Sequence, residues 1–119
     1  MLYTKSIQDQ KELSDGIRVS IMRKPCGEFD LWIPSLSPSQ KLLDDYHTKK
    51  INWDEYECKF LLEMNNNLDA TKMMKLLLEI STFSLVTILC WEETPEKCHR
   101  RLIAKLMCTI NNKAIINLK

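Results

Sequence analysis

Apolar and polar positions alternate along "GIRVSIM", where Ile17, Val19 and Ile21 are separated by Arg18 and Ser20. A period of two is that of a strand with one face turned to a core. Leu2 to Ile7 allows a shorter strand. "LVTILC", ending at Cys90, is almost continuously apolar, as in a central strand covered on both faces. "AIINL" reads as a last strand. From Arg23 to Ser37 the pattern breaks around Pro25, Gly27 and Pro34, which predicts a long loop.

Between the strands the period lengthens to that of helices. "SPSQ" predicts a start with Ser37 as N-cap, Pro38 in the first helical position and Gln40 completing a capping box. Leu42, Leu43 and Tyr46 form the inner stripe. A second helix opens at Asn52, with Asp54 and Glu55 in its first turn and Trp53, Tyr56, Phe60, Leu61 and Met64 recurring at helical spacing. A third, over about 69–81, is apolar on more than one face (Met73, Met74, Leu76, Leu77, Leu78, Ile80) and is expected to be heavily buried. Thr94 and Pro95 predict the start of a fourth, with Leu102, Ile103, Leu106, Met107 and Ile110 inward.

Strand, helix and strand over residues 85–118 make a βαβ unit with parallel strands. The expected fold is a single α/β domain over residues 1–119. It has three layers, with a mostly parallel sheet of about four strands flanked by helices.

Composition narrows the function classes. Seventeen basic residues against sixteen acidic ones leave a formal charge of +1, short of the basic excess of a duplex-binding protein. Nucleic acid stays a weakly supported partner, through a local basic face only. The start, "MLYTKSIQDQ", lacks the apolar core of a signal peptide, and no apolar run is long enough to span a membrane. A cytoplasmic location is therefore expected, with Cys26, Cys58, Cys90, Cys98 and Cys108 as reduced thiols.

In α/β sheets, ligand sites gather beyond the carboxyl ends of the strands. That rule puts Cys90, Trp91, Glu92, Cys98, His99 and Arg100 at one corner, with Arg23 brought there from the end of the second strand. Each has a plainer role open to it. Cys90 is a packing residue, His99 shares the inner face of Leu102, Ile103 and Leu106, and Glu92 is an exposed turn carboxylate. Arg100, Arg101 and Lys105 form a solvated face. Cys58 and Cys108, lying in helices, belong to the core.

Convergence at one edge outweighs these separate roles, and several chemistries drop out. No arginine lies six positions after a cysteine, as a cysteine phosphatase requires: Trp32, Glu96 and Ala104 follow Cys26, Cys90 and Cys98 at that distance. Zinc through Cys90, Cys98, His99 and Cys26 is disfavoured, because no two cysteines are paired two to four residues apart; no metal site is expected. Phosphate loops, dinucleotide fingerprints and nucleophile elbows are absent. Thiol chemistry remains. Cys98, near a helix start beside Lys97, His99 and Arg100, is expected to be the most reactive thiol, and a Cys90–Cys98 disulfide is the competing outcome.

The run Leu89-Cys90-Trp91-Glu92-Glu93, then Pro95 and Cys98-His99-Arg100, resembles the YeaO-like family, a domain of unknown function numbered four-eight-eight. "MLYTKSI", "GIRVSIMRKPCG", "DLWIPSLSPSQKLLDDY" and "INWDEYECKFLLEM" extend the resemblance over nearly the whole chain. Where many members carry an aspartate before the arginine, this chain has Met22 before Arg23. The resemblance implies a compact α/β domain whose recurring polar residues are Arg23, Cys90, Glu92, Cys98, His99 and Arg100.

Two function classes follow. In the preferred one, a nucleotide or phosphorylated metabolite binds at the corner through Arg23, Arg100 and the helix start, with Cys98, His99 or Cys90 acting on it and Glu92, Trp91 and Trp32 beside it. The alternative is a non-enzymatic module that binds protein or nucleic acid through a strip of Lys97, Arg100, Arg101 and Lys105 and the exposed Trp32 and Trp91. A concave pocket reached by His99 favours the first. Substrate, cofactor and oligomeric state are left open by the sequence.

Overall fold

A computed structural model of the chain describes residues 1–92, 98–110 and 116–117. The chain order is β1 (Leu2–Ser6), β2 (Ile17–Ser20), β3 (Leu31–Trp32), α1 (Gln40–His47), α2 (Trp53–Asn65), α3 (Leu68–Ser81), β4 (Val86–Cys90), α4 (His99–Ile110) and β5 (Ile116–Asn117). The fold is α/β. Its sheet has five strands in the order β3-β2-β4-β1-β5, every described pairing parallel. The apolar "VTILC" is indeed central and buried along its whole length. The last strand is parallel to β4 in the same sheet, with β1 between them.

Register divides the sheet into two unlike faces. Leu2, Val19, Val86 and Ile88 share one face and join a single apolar core with buried residues of all four helices, among them Leu42, Phe60, Leu77 and Met107. Phe60 and Met107 are fully buried, each contributing roughly 1.5–3 kcal/mol relative to exposure. On the opposite face Lys5, Arg18 and Thr87 gather around Asp15, which a 3-10 turn (Leu13–Asp15) carries. The layers are therefore unequal: helices cover one face, and the segment between β1 and β2 covers the other. Gly16 makes that crossing possible. Its φ of 64° and the Leu85 carbonyl oxygen, 2.3 Å from where a Cβ would stand, leave room for no side chain.

Local signals explain most boundaries. Asn52 and Glu55 close the expected capping box, with Glu55 N donating to Asn52 Oδ1 at 2.9 Å. At the first helix the N-cap is Ser39, where Ser37 was expected. Ser37 ends a 3-10 turn (Pro34–Leu36) and donates its hydroxyl to the Pro34 carbonyl at 2.6 Å, so the next serine accepts from Leu42 N. The stretch expected as a plain loop thus holds this turn and β3. The third helix is less buried than expected: Met74, Leu77 and Leu78 face the core, while Leu76 is 48% exposed. The expected Thr94 cap with Pro95 lies outside the described residues. Among the described residues no helix is long and apolar enough to cross a membrane.

Candidate functional site

Because β2 and β4 are neighbours and parallel, the chain leaves both at the same edge, at Ser20 and Cys90. Met22, Arg23 and Lys24 follow the first, Trp91 and Glu92 the second. Together with Pro38, Gln40, Leu43 and His47 from the α1 region they line a cavity of about 340 Å³. Cys90 and His99 also line it, and Cys26 stands at its border. The sheet-end rule is fulfilled, and the loop after β2 does bring Arg23 beside the turn after β4.

Four chemically active side chains meet at the inner end. Cys90 is the last residue of β4, turned to the helix-covered face by its register, and Cys98 and His99 open α4. Both thiols donate to Glu92 Oε2 at 3.1 Å, and their sulfurs are 2.6 Å apart as free thiols. His99 Nδ1 lies 3.3 Å from Cys90 Sγ. Its Nε2 donates to the Ile21 carbonyl at 2.8 Å; a carbonyl only accepts, so Nδ1 is the ring atom presented to the sulfurs. Phe60 packs beside the imidazole, ring centres 5.9 Å apart.

The backbone beneath is tied down. Ile7 N donates to the Cys90 carbonyl at 2.8 Å, and Ser6 Oγ and Gln8 Nε2 donate to the Trp91 carbonyl at 3.1 and 2.6 Å. From the other side, Arg100 Nη1 donates to the Glu92 carbonyl at 2.6 Å and to Cys98 Sγ at 3.5 Å. Turn and helix start are thereby fixed to each other.

Electrostatics follow from this crowding. Burial raises the Cys98 pKa and the Cys90 thiol raises it further, beyond the ordinary thiol range. Burial also works to raise Glu92, but the hydrogen bonds from Cys90 and Cys98 outweigh it, and its carboxyl stays below the ordinary carboxylate range. For His99, burial opposes the charged form; Cys98, the Ile21 carbonyl and Glu92 overcome that and raise its pKa.

The structure brings together Arg23, Cys90, Trp91, Glu92 and His99, and corrects the other expectations. Cys98 is 1% exposed, does not border the cavity, and has its pKa pushed up by burial, surroundings unlike the accessible cationic helix start expected for it. Arg100 is fully buried and neither solvated nor in the cavity wall. Trp32, on edge strand β3, donates its indole nitrogen to the Met22 carbonyl at 2.7 Å and stands outside the cavity. Cys58 and Cys108 are exposed, not core. Lys24, Gln40 and His47 line the cavity too, and the sequence does not mark them as site residues. The sheet-end rule that found Arg23 extends to Lys24, but nothing local marks Gln40 or His47.

One donor atom from each of Cys90, Glu92, Cys98 and His99 falls within 4.8 Å of all the others. A family model described as DUF488-N3a, the active DUF488-N3 subclade, matches residues 2–110. No curated protein and no solved structure matches the chain. The match covers well over half of the 119 residues, and the chain belongs to that family.

Proposed function

We propose that this DUF488-N3a member is an enzyme that binds a small anionic substrate, a nucleotide or a phosphorylated metabolite, and acts on it at the inner end of the cavity. One observation carries the reading: a concave space of about 340 Å³ is lined both by the exposed cations Arg23 and Lys24 and by Glu92 with the buried Cys90 and His99. Arg23 and Lys24 take the negative charge. Trp91, 55% exposed at the border, offers a face on which a planar group can stack. Cys90 and His99 are the reactive groups the substrate meets. Cys98 stands behind them and positions Glu92 and Cys90.

The binding-module reading has less to stand on, because its basic strip loses Arg100 to the interior. We place the enzyme in the cytosol, where five thiols stay reduced.

Thermal unfolding against nucleotides and phosphorylated metabolites tests the proposal. A ligand at a hundred times its Kd stabilises by about 2.7 kcal/mol, a rise of several degrees. Arg23→Ala is expected to abolish that rise, whereas Arg101→Ala, on the exposed side of α4, leaves it intact. Equal rises in both variants count against the cavity as the binding site.

A further inference from the structure

We infer that Cys90, Glu92, Cys98 and His99 form a binding site for one thiophilic divalent metal ion of the zinc class. Two thiolates, an imidazole and a carboxylate are donors that such an ion accepts, and softer sulfur and nitrogen ligands select it over magnesium or calcium. Nothing in the reading of the cavity as a substrate site is needed for this, so the two can fail separately.

Structural zinc sites with ligands paired close in sequence have no counterpart among these cysteines. Here the fold supplies the pairing: Cys90 and Glu92 leave the strand end, Cys98 and His99 enter the helix, and the four donors converge within 4.8 Å. Donors bound at 2.0–2.3 Å to a tetrahedral zinc stand about 3.3–3.8 Å from one another. The sulfur–oxygen distances of 3.1 Å and the sulfur–nitrogen distance of 3.3 Å are close to that range. The two sulfurs, at 2.6 Å, must part by about an ångström to hold the ion between them.

Surrounding hydrogen bonds fit the same purpose. A metal-bound histidine commonly donates its other ring N–H to a backbone carbonyl, which fixes the ring. His99 does so through Nε2 to Ile21, leaving Nδ1 as the ligand atom. Arg100 donates to Cys98 Sγ and so supports a thiolate there. Binding releases the two thiol protons to solvent, because sulfur ligates as the thiolate. Three of the four donors line the cavity and Cys98 closes the back, so the ion faces the substrate space. Cys90 would then serve as a ligand, and with four protein donors the ion would be held in a closed tetrahedral shell that fixes the strand end to the helix start.

Reduced, metal-stripped full-length protein titrated anaerobically with Co²⁺ reads the site directly. The expected result is one ion per chain, with the visible bands of tetrahedral cobalt and a sulfur-to-cobalt charge-transfer band, both erased by added Zn²⁺. A triple variant, Cys26→Ser, Cys58→Ser and Cys108→Ser, is expected to keep the spectrum, since those thiols are exposed. Cys98→Ser is expected to lose about half the charge-transfer intensity and to weaken binding at least tenfold. The inference is overturned if no sulfur-to-cobalt band forms, if it vanishes in the triple variant, or if it survives the loss of Cys90 and Cys98 together. Should Cys98→Ser not fold, the wild-type and triple-variant spectra still decide the matter.

Discussion

Two polar clusters are buried in this small protein, and they are built on opposite logic. On the thinly covered face of the sheet, Lys5 and Arg18 each donate to Asp15, whose side chain is only 3% exposed. The remaining donors find the Gln10 and Glu28 carbonyls, and Thr87 Oγ1 donates to the Asp15 carbonyl at 2.6 Å. Opposite charges meet, Lys5 reaching the exposed Glu12 carboxylate at 3.7 Å as well, and none of the three buried charged groups lines the cavity. At the carboxyl edge, two sulfurs, a carboxylate and an imidazole face one another, the thiol protons given to Glu92 and the imidazole N–H to the Ile21 carbonyl. The first cluster satisfies itself. The second is held by exchangeable thiol protons and by the Arg100 guanidinium on Cys98, and it borders the cavity. One buried polar cluster is closed off from the cavity, and the other forms part of its wall.

The strongest way to break this comparison is to cut one member from each cluster. Asp15→Ala leaves two buried cations without their carboxylate and is expected to cost about 3–5 kcal/mol of unfolding free energy. Cys98→Ala in metal-free protein is expected to cost about 1 kcal/mol, a typical point-mutant loss. Urea titrations at neutral pH measure both, and equal losses would erase the distinction. The same carboxylate gives a pH signature. Burial would raise its pKa, but the Glu12 amide, Lys5 and Arg18 prevail and hold it below its ordinary value. A lowered folded pKa means a contribution fully present above the unfolded value of about 3.9, lost as pH falls through the folded value. Acid titration of stability is expected to show that loss in the wild type and not in Asp15→Ala.

A smaller effect tests the segment that carries Asp15. Gly16→Ala forces a side chain into positive φ against the Leu85 carbonyl and is expected to cost about 1–3 kcal/mol while sparing cobalt binding. Loss of the cobalt spectrum in a folded Gly16→Ala protein would show that the two clusters are coupled. The smallest effect belongs to the surface. Lys105 pairs with Glu57 at 3.1 Å with 60% of its side chain exposed, so Lys105→Ala is expected to change stability by under about 0.5 kcal/mol.

Periodicity made the strands, the Asn52 cap and the location of the corner legible in the sequence; residue-type habits obscured other features. Tyr56, Phe60 and Met64 mark the buried stripe of α2 at steps of four, and Cys58 lies about half a turn away. Its phase points outward, where the structure has it, although cysteine's usual burial points inward. Arg100 is the reverse case. It precedes Ile103, Ala104 and Met107 by three, four and seven positions, the inner stripe of α4, but its charge suggested solvent. Where the two cues disagreed, phase was right. Beyond either cue lay the meeting of Glu92 with both thiols, because it depends on how a turn of the chain returns to a helix start and not on any spacing along it.

Sheet order has a consequence for how the chain assembles. β1 and β2 are separated by β4, so the two strands made first have no ladder with each other in the native state. β2 can pair early with the short β3, but both β1 and β2 meet their common neighbour β4 only more than sixty residues downstream, and such distant pairing makes for slow folding. At about 5–20 residues per second of synthesis, that wait lasts several seconds, with strand edges open meanwhile. Arrival of β4 then zips both neighbours at once, and its last residue, Cys90, delivers the first sulfur of the corner in the same event. Joining of the central strand and the start of the site are one step on the folding path.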